Sequence, residues 1–337
     1  MKELRIGFES ALAFWRAVRR AGAEPEAMDQ GERVFGARDR GIAERVGSAR
    51  ALCGLEGSLD IVVPSASDRI NSEHVRNRVW RGPVSERTLV RLGNGVEVFR
   101  PAAMLVQLGS VLDEIDLAEV AYELAGTYVV NPDADHGFGE APALVTVSEL
   151  RAYASAAKAL GTRGAARAVS ALELVADGSN SPRETDVAIL LSLGRARGGA
   201  GAPGFRMNVN VHLPEGLASV IGQRIVRPDF SWPNGTVGEY DSDEFHRTPQ
   251  ARARDERKRR AYQSVGMDCI TMTAATFQSN AELNLLISDL EGSLGLRRNP
   301  PNARMLAARR QLRARLFGPE STDAALVALN GGAPSGA

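Results

Sequence analysis

From Val226 to Asp241 the chain reads VRPDFSWPNGTVGEYD, apolar and polar residues alternating on both sides of Pro-Asn-Gly. A side-chain period of two means a strand, and Pro-Asn-Gly is a turn signal, so this stretch demands an antiparallel hairpin. Val226, Pro228, Phe230 and Trp232 fall on one face of the first strand, and Arg227, Asp229 and Ser231 on the other. Glu239 and Asp241 share a face of the return strand. Five carboxylates (Asp229, Glu239, Asp241, Asp243 and Glu244) lie within the sixteen residues from Asp229 to Glu244, among Phe230, Trp232, Tyr240 and Phe245. A sheet-forming stretch so rich in acids either spreads them over a solvated edge or gathers them around a positive charge.

Register separates the two outcomes. A two-residue Asn-Gly loop sets Asp229 against Tyr240 and leaves the carboxylates on opposite faces. A three-residue loop, Pro233-Asn234-Gly235, sets Asp229 directly across from Glu239, with Gly235 suited to the left-handed position such loops need. The three-residue loop also puts Phe230 and Trp232 on the face of Gly238 and Tyr240, so packing favours it. Like charges directly opposed in a sheet destabilise it, and a cation between them removes that cost. Hard cations such as Mg²⁺ (or Mn²⁺) prefer oxygen ligands and take one or two protein carboxylates.

Elsewhere, strand and helix patterns alternate, which predicts an α/β (α+β) chain. Strands are expected at 59–65, 74–80, 93–101, 205–214 and 267–273, and helices at 9–21, within 102–127, at 147–159, 163–176, 181–193 and 250–264, and on to about 317. Asp116 is the expected cap of the second helix in 102–127 and Gly126 its stop; Thr146 and Glu149 have capping-box spacing. NPDADHGFGEAP (131–142) reads as a boundary. The expected organisation is an N-terminal α+β domain (1–130), a linker (131–145), a second domain (146–318) and a disordered tail (319–337).

Length and composition narrow the function classes. The chain has 337 residues, 44% hydrophobic and 24% charged, with formal net charge zero. That is globular composition without the global basic field of many nucleic-acid binders. Two cysteines, Cys53 and Cys269, suit neither a disulfide framework nor a zinc site, which with the absence of a signal peptide predicts a cytoplasmic protein with no membrane partner. Charge is locally uneven: 247–260 holds seven Arg or Lys, and 297–317 holds seven Arg and no acid. These are either solvated helix faces or a basic surface beside the acidic hairpin.

Pro228-Asp229 followed by Glu239-x-Asp241 resembles the PD-(D/E)xK nuclease motif. More narrowly, Asp229, Trp232-Pro233, Glu239-Tyr240-Asp241-Ser242 and His246 resemble a bacterial family akin to very-short-patch-repair endonucleases, as do Ser181-Pro182-Arg183-Glu184, Arg254-Asp255 and the strand from Gly266 to Thr273. The resemblance covers about residues 165–280. Residues 59–130 more loosely resemble the central part of antitoxin proteins of abortive-infection systems, through DIVVPS, VRNRVWRGPV, GNGVEVFRPAAMLVQL and AYELAGTY.

The resemblance implies a restriction-endonuclease-like mixed sheet flanked by helices and a Mg²⁺-dependent phosphodiesterase acting on DNA. Asp229, Glu239 and Glu184 would be the metal ligands, Asp241 and His246 further catalytic groups, and Arg227, Arg254 and Arg257 contacts to backbone phosphates. No nucleotide cofactor is implied; a toxin or other protein partner is. The motif lysine is absent, and Asp241 occupies its position. A catalytically retired nuclease fold, acting as a DNA-binding or antitoxin-like regulator, is the alternative. Glu184 also has a plainer reading, as the third residue of a helix capped by Ser181 and opened by Pro182.

Overall fold

The computed structural model describes residues 3–22, 41–241, 249–296 and 298–318. These residues form an α+β fold of helices with mixed parallel and antiparallel sheets. No helix among them is long and apolar enough to cross a membrane. The tail at 319–337, expected to be disordered, lies outside the described residues.

The chain divides into two compact units after Val175. The first carries a five-stranded sheet in the order Val75–Val79, Leu59–Val63, Leu4–Ile6, Val96–Phe99, Leu89–Gly93. Its core includes Leu12, Trp15 and Val18 of helix Phe8–Arg20, the residues whose three-residue spacing predicted that helix. The boundary expected at 131–145 is therefore displaced. Residues 131–137 instead turn a short antiparallel hairpin, Tyr128–Val130 with Phe138–Glu140. Helices Val147–Ala159 and Ala165–Leu172 then pack on Pro101–Leu108 and Glu114–Ala125. They bury Leu150, Ala154, Ala168 and Leu172, small and apolar surfaces that need a partner. Gly164 makes the approach possible, since a Cβ there would lie 2.1 Å from the Val106 carbonyl oxygen. The Thr146–Glu149 capping box forms as expected. Asp113, not Asp116, caps Glu114–Ala125, accepting from the Ile115 and Asp116 amides, because the helix starts three residues earlier than a cap at Asp116 implies.

The second unit, from Ala176 onward, is built on a four-stranded sheet in the order Asp268–Thr273, Thr236–Asp241, Phe230–Ser231, Arg206–Met207. The first pair is parallel and the others antiparallel. The single strand expected at 205–214 breaks at Asn208, whose φ of 52° leaves extended geometry. Its backbone amide still donates to the Asp229 carbonyl, while its side-chain Nδ2 donates to the Gly178 carbonyl and to Glu184, and the chain resumes as Val211–His212, paired with Ile225–Val226 in a separate ribbon. One face of the main sheet is aromatic: the Phe205 ring meets Phe230 at 5.2 Å and Trp232 at 5.5 Å, edge to face. Much of the basic run at 297–317 proves structural. Arg298 donates to the carbonyls of Ala200 and Gly201, and Arg313, on helix Ala303–Phe317, to those of Phe277 and Gln278.

Candidate functional site: a cross-strand carboxylate pair

The hairpin adopts the three-residue loop. Phe230 pairs with Gly238 and Ser231 with Val237, and the Trp232 amide donates to the Thr236 carbonyl at 2.9 Å. Gly235 takes φ +90°, the left-handed position the loop requires. Continuing that register puts Asp229 opposite Glu239, and Asp229 Oδ2 accepts the Tyr240 amide at 2.7 Å. The parallel neighbour brings Thr271 beside Glu239. Phe230 and Trp232 are buried on the other face, so packing and turn chemistry agree on this register.

Helix Pro249–Ser264 covers the carboxylate face. Ala261 and Tyr262 are buried against Val237, Val226 and Leu213, which orients the helix and delivers two polar groups to Glu239. Lys258 Nζ lies 2.7 Å from Glu239 Oε2, and the Tyr262 hydroxyl donates to Oε1. A pocket opens here, lined by Glu239, Asp241, Lys258, Arg259, Tyr262 and Thr271, among others. The cation beside Glu239 thus comes from the covering helix and not from the strand. Sequence reasoning missed Lys258 and Tyr262. Their i, i+4 spacing around Ala261 marks one helix face, but Lys258 is hidden within Arg257-Lys258-Arg259-Arg260.

Glu184 enters from helix Pro182–Ser192. Its backbone amide bonds Ser181 Oγ at 3.1 Å, as the capping reading anticipates. Its carboxylate accepts from the Asn208 side chain at 2.7 Å and the Asn180 amide at 3.1 Å. It also acts on the hairpin at a distance. Burial, and then the charge of Glu184, push the Asp229 carboxyl up to about 6; the Tyr240 amide, Lys258 and Arg227 pull the other way. Glu239 is likewise raised, by burial and then by Asp229, against Lys258 and Tyr262. Burial raises Glu184 too. The three carboxylates feel one another, and the nearby cations do not fully offset them.

The remaining expected residues separate. Arg227 is exposed but close enough for its charge to pull the pKa of Asp229 and of Glu184 down, against their burial. Asp241 lines the pocket, and Arg257 is exposed on the covering helix. Arg254 belongs to the same helix, its side chain outside the described residues, as is the whole of His246.

The donor set discriminates between metal arrangements. Among the described residues no group of three His, Cys, Asp or Glu side chains is placed to hold one metal ion. Glu184 is engaged with Asn208 and Asn180, Asp229 with the Tyr240 amide, and Glu239 with Lys258 and Tyr262. Asp229 and Glu239 are opposite in register and each is destabilised as an anion by burial; carboxylate oxygens are the donor type that hard divalent cations prefer. No protein family, characterised protein or solved structure matches the chain.

Proposed function

We propose that the second unit is a Mg²⁺- or Mn²⁺-dependent DNA endonuclease of the very-short-patch-repair-like type, serving repair, mobile-element or defence processes. The observation that supports it most is Asp229 opposite Glu239 with Lys258 bonded to the latter. Asp229 and Glu239 would hold the cation. When bound, that cation polarises a scissile phosphate and lowers the pKa of a bound water. Tyr262 and the buried helix face fix the Glu239 carboxylate, so its orientation does not depend on the ligand. Lys258 takes the part of the motif lysine, orienting water and offsetting charge on the phosphate. Glu184 keeps the local potential negative, and Arg227, Arg254 and Arg257 steady flanking phosphates. His246 exchanges protons near neutral pH. The test is nicking of supercoiled plasmid by the purified full chain. Mg²⁺-dependent nicking is expected, falling roughly 100-fold or more in Asp229→Asn. Nicking that survives in both Asp229→Asn and Glu239→Gln would overturn this assignment.

One observation favours a second reading. Both Glu239 oxygens already have donors, Lys258 and Tyr262, so this carboxylate is partnered without a metal. A retired nuclease fold that binds DNA or a toxin partner without turnover would look the same. Calorimetric titration with Mg²⁺ or Mn²⁺ separates the two: heat lost in Asp229→Ala supports the enzyme, and no heat in wild type supports the regulator.

A further inference from the structure

Strand Asp268–Thr273 forms the edge of the second unit's sheet, paired among the described strands only with Thr236–Asp241. The Asp268 amide donates to the Gly235 carbonyl, so in a parallel ladder Asp268, Ile270 and Met272 turn their backbone groups inward. Cys269 and Thr271 therefore turn theirs outward. Exposed edges of this kind are normally blunted by lysine, proline or a bulge. None occurs here: the strand is DCITMT and its register is unbroken over six pairs.

The outward groups open into a second groove, which adjoins the carboxylate pocket at Cys269 and Thr271. Its far wall is helix Asn280–Ser293, and its rim carries Asp268, Glu282 and Asp289, all exposed. No Lys or Arg lines it among the described residues. Lys258 and Arg259 belong to the helix covering the other face of the sheet, where Arg259 donates to the Thr271 hydroxyl at 3.5 Å. Leu285 of the wall is 58% exposed, high for a leucine beside a polar rim.

We infer that this groove docks an extended basic segment of a protein partner, which adds as a further strand along Asp268–Thr273. The unpaired Cys269 and Thr271 backbone groups supply the ladder, the three carboxylates select lysine or arginine, and Leu285 receives an apolar side chain. The same carboxylates repel a nucleic-acid backbone, so the occupant is protein. The inference is independent of the nuclease reading.

A fluorescent peptide of alternating Lys and Val, titrated against the full chain by anisotropy, tests it. Saturable, salt-sensitive binding is expected, weakened roughly tenfold or more when alternate peptide amides are N-methylated, which removes the ladder bonds without altering the protein. Glu282→Gln with Asp289→Asn should weaken it several-fold, and a Glu-Val peptide should bind worse still. No binding, or equal binding of the N-methylated or acidic peptide, overturns the inference. So does concentration-dependent dimerisation of the chain alone that Thr271→Pro abolishes, which would assign the edge to a second copy.

Discussion

Asp60 and Asp229 are both strand-associated aspartates in sheets, and their environments differ in one respect. Asp60, in Leu59–Val63, is fully buried. Burial alone would raise its pKa, yet Arg76 and Arg78 hold it below the ordinary aspartate value. Arg76 grips both oxygens at 2.5 and 2.7 Å, and Arg78 adds a contact at 2.8 Å. Asp229 is less buried, yet its carboxyl is pushed up to about 6, with Glu184 for a neighbour in place of an arginine clamp. Depth of burial therefore does not set the direction of the shift. The difference is charge compensation: two arginines offset the burial of Asp60, whereas a neighbouring carboxylate adds to that of Asp229.

The largest expected effect is at the compensated site. Asp60→Ala leaves Arg76 and Arg78 with Glu9 as their remaining shared partner and should cost about 3 kcal/mol in urea unfolding, toward the low end for a broken buried pair because Glu9 stays and Arg76 can reach water. A loss under about 1 kcal/mol would mean the clamp contributes little. Asp229 should behave oppositely. Its pKa is higher folded than unfolded, so the native state holds the extra proton between about 4 and 6 and stability falls as pH rises through that window. In metal-free protein, Asp229→Asn should raise stability at pH 7 by about 2 kcal/mol while removing nicking, with the gain gone near pH 4. An equal change at both pH values would refute the electrostatic origin. Lys258→Met comes third, at about 1 to 1.5 kcal/mol of stability. Without Lys258, burial and Asp229 act on Glu239 with less opposition, so the acid limb of the nicking profile should move to higher pH.

The parts of this comparison legible in the sequence were those decided locally. The hairpin register followed from Gly235 at a left-handed position and from aromatic residues that had to share a face. The Thr146–Glu149 box announced its helix in the same way. What escaped was decided at long range. Nothing near 131–145 signals that helices Val147–Ala159 and Ala165–Leu172 join the first unit, because the apolar faces they cover lie at 101–125. Lys258 escaped because its partner, Glu239, is nineteen residues away and meets it only once Tyr262 docks the helix. Asn208 escaped because it breaks a well-patterned strand through a positive φ, an uncommon conformation for any residue but glycine.

The smallest effect, and the one that most sharpens the comparison, is at the turn. No other atom lies closer than 3.8 Å to where a Cβ of residue 235 would sit, so substitution there meets no steric obstacle. Only the φ of +90° resists a side chain. Gly235→Ala should therefore cost about 1 kcal/mol, and Gly235→Asn less, since asparagine tolerates left-handed backbone. Gly235→Val should cost more and press the loop toward its two-residue alternative, in which Asp229 faces Tyr240. If that shift occurs, Asp229 leaves the field of Glu239, and metal binding should fall further than stability does. Parallel losses of binding and stability across Ala, Asn and Val would instead mean that the register holds and the turn contributes stability alone. Calorimetric Mg²⁺ titration beside urea unfolding of the three variants decides between these outcomes.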